Sequence, residues 1–264
     1  MGVQTGTQSA SQPAPTGEFI LEAHDITKSF GGVQALRGAS LELRRGEVLA
    51  LVGDNGAGKS TMVKILSGVM KPDSGSILME GRAMDFASPK DAQDSGIATV
   101  YQDLALAPDL DSIANLYLGH ELKRGGVLGL LGFLDQKLMR TQAVEFLDEL
   151  DIRVQNLRVP VESLSGGQRQ GVAVARAVKY SEKVVFLDEP TAALGVEQTE
   201  KVLRLIETVR DRGVSVVLIT HRLDEVARVA DRVHVLRLGK DVATFEKADA
   251  TANNVVAAIT GAVL

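Results

Sequence analysis

Eight consecutive residues, Gly53-Asp54-Asn55-Gly56-Ala57-Gly58-Lys59-Ser60, carry the clearest chemistry in the chain. Glycines at this spacing let a loop wrap closely around phosphate groups, with several backbone N–H groups aimed inward. Lys59 supplies a cation for β- and γ-phosphate charge, and the Ser60 hydroxyl is a ligand for Mg²⁺. A helical pattern follows from Thr61, whose N-terminal N–H groups and dipole favour the same anion. Gly53 to Thr61 is therefore expected to bind a nucleoside triphosphate.

A partner element lies at Val184-Val185-Phe186-Leu187-Asp188-Glu189-Pro190. An apolar strand ending in Asp188 places a carboxylate where a phosphate-loop ATPase holds Mg²⁺ through water. Glu189 comes next and can orient or deprotonate the attacking water. Successive residues of a flat strand face opposite ways, so both carboxylates serve one site only if the chain leaves the pleat here. Pro190, lacking an N–H, helps to end the strand.

A third element is Leu164-Ser165-Gly166-Gly167-Gln168, ahead of an expected helix over 169–179. It reads either as a loop and helix N-cap or as a second anion site built from a hydroxyl, two glycines and a helix N-terminus. Two phosphate-facing elements in one chain suggest a nucleotide held between two surfaces.

The elements that must position these groups are legible as hydrophobic patterns. Val- and Ile-rich runs without alternation recur at 48–52, 97–101, 184–187, 214–219 and 233–236, as expected of central strands covered on both faces. Helical spacing appears in Val202, Leu205, Ile206 and Val209, in Leu223, Val226, Ala227 and Ala230, and in Ala143, Phe146, Leu147 and Leu150. Alternating strands and helices predict a mostly parallel α/β sheet. Alternation over 18–80, punctuated by Gly31-Gly32, Arg45-Gly46 and Asp73-Ser74-Gly75, predicts a small antiparallel sheet with hairpins. The stretch from about 103 to 164 is a candidate helical subdomain. Within it, Val127–Leu134 is apolar but glycine-containing; a packing role and a partner-facing patch both stay open.

Composition narrows the class. The 264 residues, 45% hydrophobic and 24% charged, suffice for a sizeable core, which excludes wholesale disorder. Zero cysteines exclude disulfides, cysteine-ligated zinc and a thiol nucleophile. A net charge of −5 argues against nucleic acid as a partner. No run approaches the ~20 apolar residues of a spanning helix. Residues 1–17, rich in Gln, Ser, Thr, Gly and Pro, lack the regions of a secretory signal and are expected to be a disordered tail.

Together, the phosphate loop and LSGGQ ahead of the strand-end Asp188 resemble the ATP-binding cassette (ABC) ATPases. The likeness covers essentially 18–238, and the ATPase domain is expected to span 18–264. It implies an α/β phosphate-loop core of ABC type with an antiparallel β subdomain and a helical subdomain, and ATP and Mg²⁺ as ligands. It further implies a head-to-tail homodimer on ATP binding, in which Ser165, Gly166, Gly167 and Gln168 of one copy complete the site of the other. Gln102, in Tyr101-Gln102-Asp103, matches the family's Q-loop, which touches Mg²⁺ or water. His221 matches the switch histidine that contacts the γ-phosphate, and Phe30 stands where the family stacks an aromatic on adenine. One departure is clear: the loop after Asp188-Glu189 usually reads Ser-Ala-Leu-Asp, whereas here it is Ala192-Ala193-Leu194-Gly195.

Longer segments, among them KSFGGVQAL, YQDLAL and NLYLGHEL, resemble ATPase subunits of bacterial ribose/fructose-type sugar importers. That likeness implies a subunit peripheral to the cytoplasmic side of the cell membrane, acting with integral permease subunits and, indirectly, with an external solute-binding protein. The alternatives are an importer of another solute class and a non-transport ABC ATPase of DNA repair or translation.

Overall fold

A computed structural model describes residues 19–181 and 183–262; the tail expected over 1–17 lies outside the described residues. Alternating residues near the N-terminus build the expected antiparallel sheet. It comprises β1 (Phe19–Phe30), β2 (Val33–Arg44), β4 (Ser74–Met79) and β5 (Arg82–Met84), in the order β2-β1-β4-β5. Gly31-Gly32 closes the β1–β2 hairpin. Arg45-Gly46 does not close a hairpin: it carries the chain from β2 into β3 (Val48–Val52), which belongs to a second sheet. Asp73 precedes β4, where its carboxylate accepts from Lys28 Nζ at 2.8 Å and from Ser29 N at 2.7 Å.

The apolar runs form that second, six-stranded sheet. It contains β3, β6 (Ile97–Val100), β7 (Val184–Asp188), β8 (Ser215–Ile219), β9 (Arg232–Arg237) and β10 (Lys240–Glu246), in the order β10-β9-β3-β8-β7-β6. All neighbours are parallel except the β9–β10 pair. Its central strands feed two cores at once. Val184 and Phe186 of β7, with Val217 and Ile219 of β8, pack toward α1 (Lys59–Leu66) and the antiparallel sheet. Val185, Leu187, Val216 and Leu218 pack on the other face. Cover on both faces is why these runs lack polar alternation. Phe186 is fully buried, so truncation to alanine should cost about 3–5 kcal/mol.

The second face is covered by α3 (Ser112–Tyr117), α5 (Gln136–Glu149), α6 (Gly166–Tyr180) and α7 (Val196–Asp211). Together with α4 (Gly126–Leu130), the first two make the expected helical region, in which the described residues show only isolated β-bridges. The remaining α-helices among the described residues are α2 (Pro89–Asp94), α8 (Leu223–Val229) and α9 (Ala252–Thr260).

Two further features depart from the sequence reading, and a third bears on a choice that it left open. The helix expected from residue 169 begins at Gly166, because Ser165 caps it. β10 and α9 were not anticipated; Val255 and Ala258 of α9 pack with Val233 and Val235 of β9. The stretch Val127–Leu134 is not a core helix: α4 buries no residue, and Leu130 is 89% exposed.

The two sheets are also joined by charge. Glu80, in the β4–β5 turn, accepts from Lys183 Nζ at 2.7 Å and Arg45 Nη2 at 2.8 Å. Those two cations hold its carboxyl far below the usual range, at about 2. Solvent access keeps the contribution near 1 kcal/mol. A depressed folded-state pKa gives stability that is present above the unfolded value and lost as pH falls through the folded one. Glu80→Gln should therefore be less stable at pH 7 by about 1 kcal/mol, with the gap closing as pH drops from 4.5 toward 2. Urea denaturation across that pH range reads the gap; a pH-independent gap would assign the loss to something other than this charge cluster.

Candidate functional site

Four loops converge because four strands that end on the same side of the sheet are neighbours. In the order β3, β8, β7, β6, their C-terminal ends are followed by Gly53, Thr220-His221, Glu189 and Tyr101-Gln102. The register pairs Leu51 with Ile219 and Ile219 with Asp188. Parallel strands lie about 4.8 Å apart, so residues that are distant in the chain meet along one edge.

The loop after β3 is gripped from behind. Gly53 has φ +151°, and a Cβ there would meet Leu236 O at 2.1 Å. Gly58 has φ +107°, with Leu36 Cδ2 and Ala35 O within 2.8 Å of such an atom. Only glycine fits either place. Gly239, in the β9–β10 turn, donates to Ala57 O at 3.0 Å and accepts from Arg37 N at 2.7 Å. Asp54, Asn55, Gly56 and Ser60 are exposed, Ala57 is buried, and Thr61 is partly buried at the start of α1. The Lys59 ammonium donates to Gly53 O at 2.7 Å and Asp54 O at 3.0 Å. Burial lowers its pKa, while Glu189, Asp188 and Asp54 pull the other way.

Burial and the neighbouring Glu189 raise the Asp188 carboxyl above the ordinary aspartate value, against the attraction of Lys59 and Lys64. The chain does leave the pleat at this point: Glu189 has φ +50°, in the left-handed region, and its N–H donates to Ile219 O at 2.9 Å. That turn keeps two successive carboxylates near Lys59. A Glu189 carboxylate oxygen lies 2.8 Å from His221 Nδ1. The carboxylate can only accept, so Nδ1 carries the proton.

Several expected residues stand apart from this cluster. Ser165 and Gln168 form a reciprocal cap on α6: Gln168 N donates to Ser165 Oγ at 3.3 Å, and Ser165 N donates to Gln168 Oε1 at 3.1 Å. Among the described residues, no hydrogen bond joins Ser165–Gln168 to the phosphate loop. Gly166 and Gly167 instead face Leu194 and Gln198, where added Cβ atoms would approach to 3.1 Å. A groove of about 910 Å³ beside α7 reaches Ser165, Gly167 and Gln168. Phe30, at the end of β1, is 48% exposed, with Lys28 Nζ 6.0 Å above its ring. Gln102 is exposed beyond β6, and the preceding Tyr101 OH is 3.1 Å from Ser67 Oγ. Tyr101 also lines a groove of about 510 Å³ with His120, Arg176 and Tyr180. Gly195 occupies the N-cap of α7 without a side-chain cap.

Sequence reasoning missed the residues that hold these groups from outside the motifs. Gly239 backs the phosphate loop, and Thr191, Thr220 and Glu225 connect the segments bearing Glu189 and His221. No local pattern marks them, because each acts through a contact distant in sequence.

Comparison with known proteins came to the same place. A family profile described as "ABC transporter" matches residues 36–192. A fructose import ATP-binding protein of Rhizobium meliloti is 49% identical over 93% of this chain and 95% of its own length. A xylose/arabinose import ATP-binding protein of Sulfolobus acidocaldarius is 46% identical over 91% of this chain and 94% of its own. Among solved structures, a nucleotide-free ATP-binding cassette from an ABC transporter superposes with TM-score 0.78 at 25% identity, covering 91% of this chain and 98% of that one. A dimeric post-hydrolysis cassette bound to ADP and Pi gives TM-score 0.72 at 26% identity, covering 86% and 98%.

The backbone at Glu189 generates a prediction separable from chemistry. Glu189→Gly and Glu189→Ala both remove the carboxylate, but only glycine occupies φ +50° freely. The glycine variant should be more stable than the alanine variant by about 1 kcal/mol. Equal stabilities in chemical denaturation would mean that the turn relaxes once the side chain is gone.

Proposed function

The chain belongs to the ABC transporter family of ATP-binding cassettes, and from that premise we propose that it is the ATP-hydrolysing subunit that powers import of a small sugar through a separate membrane permease. The observation that carries this reading is the convergence of Lys59, Asp188, Glu189 and His221 on one sheet edge, with Ser165–Gln168 outside it. Such a site has the groups to bind and cleave ATP, and its second phosphate-facing element is free to serve another copy. Residues 18–264 are read as one ATPase domain with its helical part at about 103–164.

The roles follow from the chemistry of each group. Gly53 to Thr61 cradles the phosphates, and the Lys59 ammonium exchanges the carbonyls of Gly53 and Asp54 for β- and γ-phosphate oxygens. Phe30 offers its exposed ring to adenine. Ser60, Asp188 and Gln102 are the residues that would hold Mg²⁺. Among the described residues no group of three or more His, Cys, Asp or Glu forms a metal cage. A hydroxyl and one or two oxygen donors suit Mg²⁺, which takes its remaining ligands from phosphate and water. When bound, it neutralises charge developing on the phosphates. Glu189 takes the proton of the attacking water, and His221, held at its carboxylate through Nδ1, presents Nε2 to the γ-phosphate.

A two-fold dimer would place Ser165, Gly166, Gly167 and Gln168 of each copy over the other copy's phosphates. The dimeric cassette structure with ADP and Pi supports the pairing of two copies. No helix among the described residues is long and apolar enough to cross a membrane. The import relatives are the basis for assigning the solute path to permease subunits. The groove beside Tyr101 and the exposed side chains of Val127, Leu130 and Leu131 supply a surface for them, close to Gln102 in sequence. On this reading the subunit is peripheral to the cytoplasmic side of the cell membrane and is served indirectly by an external solute-binding protein. Sugar as the solute rests on the fructose and xylose/arabinose import relatives.

Lys59→Ala should abolish ATP binding in calorimetry with Mg²⁺; undiminished affinity would remove the phosphate-loop assignment. Glu189→Gln should keep ATP affinity but lose about 10²–10⁴-fold in hydrolysis. With ATP, and not with ADP, that variant should shift from monomer to dimer in light scattering; an unchanged mass would count against shared sites. Uptake of labelled fructose, xylose, arabinose or ribose by cells should depend on Lys59. Dependence confined to another solute class would replace the sugar, and no dependence would leave an ATPase outside transport.

A further inference from the structure

We propose that Glu225 is a positioning residue that sets the Glu189–His221 pair, an inference that rests on the ATPase reading above. Glu225 lies on α8, is only 1% exposed, and belongs to none of the motifs. Its carboxylate is fully engaged. Thr191 Oγ1 donates to Oε1 at 2.6 Å, Arg222 Nη1 reaches Oε1 at 2.8 Å, and Thr220 Oγ1 donates to Oε2 at 3.2 Å. Both threonines are buried, and Thr220 Oγ1 also accepts from Arg222 N at 3.1 Å.

The placement of the donors is what matters. Thr191 follows Glu189 by a single intervening proline, and Thr220 immediately precedes His221. Each oxygen of one carboxylate therefore holds one of the two chain segments that carry the 2.8 Å Glu189–His221 contact. A further link between these segments is the backbone bond from Glu189 N to Ile219 O at 2.9 Å. That bond ties the two strands at their ends, and the threonine–Glu225 contacts tie the loops that continue beyond them. Charge-assisted hydrogen bonds to a buried carboxylate are short, directional and costly to break, which suits them to fixing such loops. The segment after Glu189 runs from Pro190 to Gly195, which stands at the N-cap of α7 without a side-chain cap. In this chain Glu225 anchors that segment from its other end.

Steady-state ATPase assays and calorimetry on the full chain test the idea. Glu225→Ala should lower kcat by about 10- to 100-fold, the scale of sub-ångström to ångström misplacement of reacting groups, while ATP affinity is unchanged. Glu225→Gln, which retains length and one acceptor, should recover part of kcat, and Glu225→Leu should not. In a His221→Ala background, Glu225→Ala should cost little more, since both changes disable one unit. Should Glu225→Ala fail to fold, Thr191→Val and Thr220→Val each remove one donor at constant shape and should each lower kcat. Wild-type kcat in Glu225→Ala, or in both valine variants, would overturn the inference. So would an undiminished further loss in the His221→Ala background, or a loss expressed as weaker ATP affinity. Glu189→Gln run alongside separates the failures. Wild-type hydrolysis by that variant sinks the ATPase reading itself, whereas its inactivity beside a silent Glu225→Ala sinks only the positioning role.

Discussion

Parallel hydrogen-bonded register in β3, β8, β7 and β6 is the constraint on which the site depends. Each strand contributes one loop to the same edge, and the pairing of Leu51, Ile219 and Asp188 sets how far each loop starts from its neighbour. A slip of one residue in any pair would turn every buried side chain of that strand to the opposite core. The two cores enforce the register because they differ in shape: Phe186 fills one, and Val185 and Leu187 fill the other. Packing far from the edge thus holds the chemistry in line at the edge.

The phosphate loop illustrates how elements outside the sheet contribute. Its free surface faces solvent, but its back is enclosed by β2, by Leu236 of β9 and by Gly239 of the turn that follows. The antiparallel sheet and the C-terminal hairpin therefore act as a rigid wall for a glycine-rich segment that has little stiffness of its own. The same logic applies to Ser165 and Gln168, whose side chains cap their own helix in the free chain.

What could be seen in the sequence was whatever local pattern encodes. Lys59, Asp188 and Glu189 each follow an unmistakable strand, and their residue types leave few roles open. The need for a break in the pleat between Asp188 and Glu189 was also visible, because alternation is a rigid rule of extended chain. Other features were hidden for equally physical reasons. Glu225 sits in a short helix with no distinguishing composition, and its meaning comes from two threonines on separate loops. β10 is largely exposed and carries Lys240, Asp241 and Glu246, so it lacks a clear apolar face. Val127–Leu134 is apolar in composition, but composition does not tell whether a neighbour covers it; here none of α4 is buried.

The left-handed backbone at Glu189 has a consequence for how this position can change over generations. A glutamate codon reaches Asp, Gly, Ala, Val, Lys and Gln by a single base change. Val is refused by the backbone at φ +50°, where β-branched side chains clash. Gly and Asp tolerate that conformation, yet one lacks a carboxylate and the other is a methylene too short to reach His221 as glutamate does. Gln and Lys have the length without the negative charge, and Ala has neither. No one-step neighbour combines this backbone with a carboxylate that reaches His221, so the residue is isolated in sequence space, and change at it is opposed by the turn as well as by the side-chain contact.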